Sequence, residues 1–197
     1  MTLDETNHPI AQFVSEVNGT YRFCALKYLS AVDPYKGSII PYTNFRFGNM
    51  NAKYERPDDV DINDGVALTE NIIKGMNLIG YTGPRTVQVV GNQASRFESP
   101  LFQTALLYKT LGTKSGQWYI PAPDELKNLY ENKDIINNKR TQNGFQELAD
   151  FFYFSSLEES DVDAVIVDMY DGDNSCLISK RISKYNGMEE TCAIGFI

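Results

Sequence analysis

Residues 116–126 read GQWYIPAPDEL and include the only tryptophan of the chain, Trp118. Pro123 suits the first position of a helix, where a backbone N–H has no intrahelical partner. The acidic pair at 124–125 then lies in the first helical turn, where negative charge meets the positive end of the helix dipole. The stretch therefore predicts an apolar strand that enters the core and turns directly into a helix ending near Asn132.

Local patterns predict further elements on both sides of this stretch. Asn18-Gly19 between two β-prone runs is typical of a hairpin, because both turn positions need positive φ. Thr69 suits a helix N-cap, and the apolar residues on both faces of 164–170 are typical of a central strand. The predicted elements are a hairpin at 11–28, helices at 69–77, between 99 and 112 and within 134–150, and strands at 86–90, 151–155, 164–170, 176–183 and 191–197.

The composition favours one folded, β-rich protein. Hydrophobic residues make up 42% of the 197 residues and aromatic residues 12%, mostly Tyr and Phe, which favour pleated surfaces. We predict an α+β domain over 11–197 after a loose arm at 1–10 that contains the lone histidine, His8. Residues 30–65 are predicted to form a long, loop-rich excursion of that domain.

The net charge and the N-terminal residues indicate which partners and which cellular location to expect. The net charge of −8 disfavours nucleic acid and anionic membranes, which are bound through clustered Lys and Arg. The first ten residues lack the apolar segment of a signal peptide, and no apolar run reaches the roughly 18 residues of a membrane span. These features predict a chain that folds in a cytoplasm, unless a leader was removed.

Several catalytic and metal-binding classes find no support in the sequence. Nucleophilic catalysis by a Ser-His or Cys-His arrangement needs a histidine within the fold. The only histidine of the chain lies in the predicted arm. The cysteines at 24, 176 and 192 have neither zinc-site nor C-x-x-C spacing and are predicted to be buried free thiols. Glycine-rich nucleotide-binding motifs are missing as well. We therefore predict a protein that is not an enzyme and has no cofactor.

An acidic run at 58–65 offers a weak calcium site. Oxygen ligands alternate along it and a glutamate follows, as in a calcium loop, but the glycine falls one position late. A turn that leads into a helix is the alternative interpretation. The candidate ligands would be Asp59, Asp61, Asn63 and Glu70.

Two other groups of residues are candidate binding residues. Aromatic side chains between 42 and 54 could stack on sugars or fill a protein interface, or they could equally belong to the core. A second acidic cluster at 161–173 could supply paired carboxylates for glycoside hydrolysis or oxygens for Ca²⁺, although turn chemistry at Asp171-Gly172 also explains it. The candidate binding residues are Tyr42, Phe45, Phe47, Tyr54, Asp171 and Asp173.

Four segments resemble a known family in the same order along the chain. WYIPAPDELKNLY at 118–130 resembles the segment W-[YR]-L-P-[ST]-x-x-E-L-x-x-L-Y of the DUF1566-like group, C-type-lectin-fold domains of gut Bacteroidetes and their phages. Residues 64–72 resemble its D-G-x-x-N-T-x-x-I segment, and residues 153–158 its Y-W-S-S-[ST]-E strand. Residues 164–196 resemble its terminal strands, so the resemblance covers about two-thirds of the chain.

The resemblance implies a compact α+β fold of the C-type-lectin type, with helices packed on twisted antiparallel sheets and long loops on one face. Members of the group look like binding and display modules. Cys192 and Gly195 stand where the group has arginines, so a ligand role of those arginines does not carry over. Cys176 and Cys192 do not match the cysteine pair of the related formylglycine-generating oxidases.

Three functions follow as hypotheses. The first is a non-enzymatic bacteriophage virion protein of a fibre, tail or capsid decoration, which contacts a host glycan or another virion protein and could be a homo-oligomer, as fibres commonly are. The second is a bacterial surface or periplasmic glycan-binding protein. The third is a carboxylate-dependent glycan hydrolase that uses Asp168. In each case we expect the residues that carry the function to lie in the loops at 30–65 and 157–175. Residues 118–126 are expected to be part of the structural scaffold.

Overall fold

The computed structural model describes residues 2–3, 9–17, 19–26, 28–29, 31–32, 39–40, 47, 56–78, 89–90, 93–94, 100–108, 110, 112–114, 116–160, 163–170, 179–183, 191–192 and 194–197. Helices and mostly antiparallel strands are both present, so the predicted α+β class is confirmed. In this part of the chain, no helix is both long and apolar enough to cross a membrane.

The elements follow one another as short strands, helices and a final sheet. The helices are α1 (Gly65–Leu78), α2 (Pro100–Leu107), α3 (Pro123–Glu131) and α4 (Lys133–Gln142). The strands are β1 (Thr2–Leu3), β2 (Pro9–Val17), β3 (Thr20–Ala25), β4 (Ala31–Val32), β5 (Ile39–Ile40), β6 (Val89–Val90), β7 (Gln93–Ala94), β8 (Phe152–Glu158), β9 (Asp163–Asp168), β10 (Ser179–Ser183) and β11 (Thr191–Cys192).

Two sheets organise the fold. The first has the order β1-β2-β3, and the second has the order β10-β9-β8-β11, in which only β11 runs parallel to its neighbour. The strand predicted to be central is β9, which lies between β8 and β10, so that prediction is confirmed. Apolar residues cover both of its faces because Ile166 and Val167 join different core clusters.

The predicted hairpin is confirmed as β2 and β3, which pair antiparallel around Gly19 with φ of 77°. The ring of Phe13 contacts those of Tyr21 and Phe23 edge-on, but Phe13 and Tyr21 remain 40% and 58% exposed. Strand structure also extends into the predicted arm, since β1 pairs with β2 and β2 begins at Pro9.

Residues 195–197 form a backbone bridge between the hairpin and the stretch at 116–126. Phe23 exchanges hydrogen bonds with Ile197, and Tyr119 exchanges two of 2.9 Å with Phe196. Phe196 is fully buried, and Gly195 lies against the ring of Trp118. The last residues of the chain therefore close the core.

The stretch at 116–126 enters the core and turns into a helix as predicted, but the predicted strand is reduced to an isolated β-bridge between Tyr119 and Phe196. Trp118 and Ile120 are buried, and α3 begins at Pro123 and ends at Glu131. Ala122 has no side-chain acceptor, but Glu125 reaches back and accepts the Ala122 N–H at 2.8 Å. This bond is half of a capping box, and it fixes the start of the helix.

Helix α1 starts five residues earlier than predicted. Its cap is Asp64, whose Oδ1 accepts the N–H of Val66 at 2.9 Å and that of Ala67 at 3.3 Å. Thr69, the predicted cap, is buried inside the helix, where its hydroxyl bonds both the N–H and the carbonyl of Ile120 at 3.2 Å. A tertiary contact thus uses the hydroxyl that we expected to cap the helix.

A buried arginine joins α4 to the hairpin. Arg140 is 1% exposed, and its guanidinium donates to the carbonyls of Ala25, Leu26 and Gln146 at 2.7–3.1 Å. We predicted a helix within 134–150 from the apolar residues Phe145 and Leu148; the helix there is α4, which ends at Gln142, so both residues lie outside it. The positive charge also opposes the effect of burial on Cys24, a free thiol whose pKa burial raises to about 12.

Candidate functional site

A cleft of about 340 Å³ opens between the loop before α1, one face of α1 and the end of β8. It joins the two regions in which function was expected, because both the loop at 56–62 and the residues after Leu157 contribute to it. Its lining includes both apolar and polar residues. The lining residues are Arg56, Asp58, Val60, Ile62, Leu68, Asn71, Ile72, Ser156, Glu158 and Glu159.

Short-range turns shape the loop on one side of the cleft. The N–H of Val60 donates to the carbonyl of Pro57 at 3.1 Å, and that of Asn63 donates to Asp61 Oδ1 at 2.9 Å. Asp64 then caps α1, so the loop leads directly into the helix. Such turns use Asp and Asn because their side chains bond the backbone two residues on.

Two apolar residues of the lining belong to the core of the protein. Leu68 and Ile72 are each 2% exposed and lie one helical turn apart on α1. Ile62, on the loop, is 45% exposed. The cleft thus presents apolar surface that continues from the core to the solvent.

Strand β8 contains two adjacent buried serines, of which only Ser156 lines the cleft, and they differ in their hydrogen bonds. Ser155 Oγ donates to the carbonyl of Val165 at 2.8 Å. Ser156 is equally buried, and its N–H donates to the carbonyl of Pro121 at 2.8 Å, but its Oγ has no hydrogen-bond partner. A buried hydroxyl without a partner costs about 1–3 kcal/mol. Ser156 therefore belongs to the lining of the cleft, and its hydroxyl is buried and unsatisfied.

We expect Ser156→Ala to stabilise the protein by about 1 kcal/mol, because it removes a buried hydroxyl that bonds nothing. The matched control is Ser155→Ala, which removes a bonded hydroxyl from the adjacent buried position and should cost about 1 kcal/mol. Urea unfolding of both variants measures the two changes. A loss of stability in Ser156→Ala as large as that in Ser155→Ala would show that Ser156 Oγ is satisfied in the folded protein.

The lining of the cleft includes more carboxylates than cationic side chains. Asp58, Glu158 and Glu159 line the cleft together with a single guanidinium, that of Arg56. Asn71 adds an amide that can both donate and accept. Among the residues that the structure describes, no three His, Cys, Asp or Glu side chains are grouped so that they could hold a metal ion.

A second polar cluster lies at the start of α3. Glu125 is 2% exposed; its Oε1 accepts the Tyr119 hydroxyl at 3.0 Å and lies 3.0 Å from Arg22 Nε, although that N–H is not aligned for a hydrogen bond. Arg22 Nη2 also lies 3.8 Å from Asp64 Oδ1. The cluster joins β3 and the starts of α1 and α3, so it serves the scaffold.

Burial raises the pKa of Glu125, and the Ala122 N–H, the Tyr119 hydroxyl and Arg22 offset only part of that effect. Burial also raises the pKa of Tyr119, and the charge of Glu125 adds to the rise. The pKa of this carboxyl is higher in the folded protein than in the unfolded chain, where it is near 4.5. Such a group contributes most to the stability of the fold when the pH is below its unfolded pKa. Its contribution then declines as the pH rises towards the folded pKa.

We therefore expect Glu125→Gln to gain stability relative to the wild type as the pH rises from about 4.5 to neutrality, because Gln does not ionise. Urea unfolding of both proteins across this pH range measures the difference. Asp124→Asn, at an exposed position of the same helical turn, controls for the loss of one charge near the helix start. A difference between Glu125→Gln and wild type that stays constant with pH would contradict the raised pKa.

The candidate site residues differ in where the structure places them. Phe47 is fully buried, and its ring contacts that of Phe102 at 5.0 Å, so it belongs to the core and is not exposed for stacking on a ligand. The candidate calcium ligands Asp59, Asp61, Asn63 and Glu70 are exposed. The other candidates, Tyr42, Phe45, Tyr54, Asp171 and Asp173, lie outside the described residues.

Asp168, the carboxylate that we considered for hydrolysis, does not line the cleft; its Oδ1 accepts the N–H of Tyr170 at 3.1 Å. The lining residues Asn71, Ser156 and Glu158 were not singled out as site residues. One signal was present: two consecutive serines end the otherwise aromatic run at 152–156.

No protein-family model, curated protein or solved structure matches this chain.

Proposed function

We propose that this protein is a non-enzymatic binding module with a C-type-lectin-like fold, and that it binds a glycan in the cleft between α1 and the end of β8. The observation that carries the proposal is Ser156, a residue of the cleft lining whose buried hydroxyl has no hydrogen-bond partner. Ligand binding would offset the free-energy cost of burying this hydroxyl without a hydrogen-bond partner. Binding sites commonly combine an apolar surface with a few polar groups that orient the ligand.

A sugar fits the mixture of groups in the cleft. Pyranose rings have apolar C–H faces that can rest on Val60 and Ile62, and hydroxyls that both donate and accept hydrogen bonds. Asn71 and Ser156 offer donors and acceptors at the polar wall. A purely apolar ligand would leave both of these side chains unsatisfied.

The proposal that the protein lacks catalytic activity rests on the sequence, which has one histidine and no nucleophile–base motif. The carboxylates that line the cleft favour glycan hydrolysis as a second candidate, because glycosidases use pairs of such groups. Reducing ends released from a bound oligosaccharide, and lost in Glu158→Gln, would establish that second function in place of the first.

We place the module in a bacteriophage virion, as part of a fibre, tail or capsid decoration that contacts a host glycan or another virion protein. This setting rests on the sequence resemblance to the DUF1566-like group. A bacterial cell-surface protein is the alternative location. Capsid, portal or tail genes beside its gene would support the virion, whereas a lipoprotein signal upstream in the gene would contradict it.

A glycan array with cleft variants tests the binding site. We expect Asn71→Ala to weaken binding about tenfold, because about 1.4 kcal/mol is a typical cost of losing an amide contact to a ligand. Lys74→Ala, one turn along α1 and outside the cleft lining, should bind as the wild type does. Equal binding by all three proteins would place the glycan elsewhere, and binding by none would overturn the proposal.

A further inference from the structure

We propose that Ile62 sets the specificity of the cleft, and that it selects sugars whose pyranose ring carries a methyl group. This inference rests on the proposed function, since it names the class of sugar that the same cleft takes. It follows from the position of one exposed aliphatic side chain in the lining.

Ile62 differs from the other large apolar residues of the lining in its exposure. Leu68 and Ile72 are each 2% exposed, so the core already covers nearly all of their surface, whereas Ile62 is 45% exposed. Of the exposed large hydrophobic side chains in the part of the chain that the structure describes, only Ile62 lines the cleft. A ligand in the cleft can therefore remove apolar surface of Ile62 from water, which favours binding.

Hydrogen bonds on both sides hold Ile62 in a turn. The N–H of Asp64 donates to the carbonyl of Asp61 at 3.2 Å, which closes a four-residue turn with Ile62 as its second residue. The N–H of Asn63 donates to Asp61 Oδ1 at 2.9 Å. The backbone that carries Ile62 is therefore fixed, and the side chain is offered to a ligand from a defined position.

The turn itself does not require an isoleucine at this position. Turns favour Gly, Pro, Asn, Asp and Ser, each for a backbone reason that a β-branched apolar side chain lacks. Ile62 does not enter the core either, since it remains largely exposed. Departures from local preference without a structural gain are expected at functional sites. Ile62 is thus a residue of ligand contact.

A methyl group is the sugar substituent that an aliphatic side chain distinguishes from a hydroxyl. Ile62 has no side-chain donor or acceptor, so a hydroxymethyl group gains no hydrogen bond from it. A methyl group instead loses apolar surface to the contact, and a fully buried one would tighten binding about fourfold. Two classes of sugar carry such a group, the 6-deoxyhexoses and the N-acetylhexosamines.

NMR titration with three methyl β-glycosides, in both the gluco and the galacto series, tests the inference. The parent hexoside is the reference, the 6-deoxyhexoside replaces its C6 hydroxyl by hydrogen, and the N-acetylhexosaminide adds an acetyl methyl. We expect one methyl-bearing sugar to bind about two- to fourfold more tightly than its parent, and its identity gives the source of the methyl group. Parent hexosides that bind as tightly as both derivatives, in each series, would overturn the inference.

Two exposed isoleucines show whether the preference belongs to the cleft. Ile62→Ser puts a turn-favoured residue in the same turn, so it should unfold at the same urea concentration as the wild type and lose most of the preference. Ile135→Ser, at a 66% exposed position of α4 outside the lining, should keep the preference. A preference that survives Ile62→Ser, or that both variants reduce equally, would overturn the inference.

The outcomes separate this inference from the proposal on which it rests. Equal affinities for the methyl-bearing and parent glycosides, with binding weakened by Asn71→Ala, would overturn selection by Ile62 and retain a glycan-binding cleft. If none of the glycosides binds while the glycan array is positive, the inference fails alone. If the glycan array is also negative, both proposals fail.

Discussion

Trp118→Ala is expected to lower the free energy of unfolding by about 3–5 kcal/mol, the usual cost of removing a large buried aromatic side chain. Trp118 is 1% exposed, its ring meets that of Tyr108 edge-on at 4.9 Å, and its Nε1–H donates to Thr113 Oγ1 at 3.0 Å. The backbone of Gly195 packs on the same ring. Since typical domains are stable by about 5–15 kcal/mol, this loss should lower Tm by roughly 10 °C.

Trp118→Phe is the control, because it keeps an aromatic ring in the core and removes the indole N–H. It should cost less than half as much as Trp118→Ala. Thermal and urea unfolding measure both variants. A Trp118→Ala protein that kept its stability and lost only glycan binding would show that 118–126 is part of the binding site rather than scaffold.

Gly65→Ala is expected to cost at least about 3 kcal/mol, at the upper end of the range for overpacking. A Cβ at this position would lie 2.4 Å from Glu125 Oε2, 2.7 Å from the backbone N of Ala122 and 2.8 Å from the carbonyl O of Ile120. Two of these atoms are backbone and cannot rotate away. The start of α1 would have to move from α3, and the capping bond of Glu125 would break.

Gly144→Ala separates this steric effect from the loss of a glycine as such. Gly144 has φ of 77°, and a Cβ added there would meet no atom within 4 Å, so its cost is only the backbone strain of about 1–2 kcal/mol. Urea unfolding compares the two variants. A smaller loss for Gly65→Ala than for Gly144→Ala would show that α1 can shift without disturbing the scaffold.

The sequence predicts the elements whose signals are local. Asn18-Gly19 sets the hairpin because the turn geometry selects these residues, and Pro123 with the acidic pair after it sets the start of α3. The continuous apolar run of β9 identifies an interior strand, since both faces are buried. Each of these signals depends on neighbours in the chain.

Elements decided by distant contacts were harder to predict. Thr69 has a side chain suited to capping, but its hydroxyl bonds Ile120, 51 residues away, and Asp64 caps the helix instead. The bridge formed by Phe196 likewise depends on Tyr119, 77 positions earlier. Residue type alone does not distinguish such tertiary roles from local ones.

The residues of the cleft could likewise be predicted from the sequence only in part. The sequence predicts the two loop regions that border it, but Asp58 and Ser156 are about a hundred residues apart, and only the packing of α1 on β8 brings them to one cavity. The missing hydrogen bond of Ser156 Oγ is a property of the folded protein. No pattern of residue types predicts it.

The central claim is that ligand binding occurs in the cleft and leaves the scaffold at 118–126 unchanged. Amide NMR spectra recorded during titration with an oligosaccharide that binds on the glycan array test it most directly. We predict shifts at Val60, Asn71 and Ser156, and an unchanged indole N–H signal from Trp118, the only tryptophan. Shifts centred on Trp118 or on the exposed hairpin ring of Tyr21, with the cleft signals unmoved, would contradict the claim.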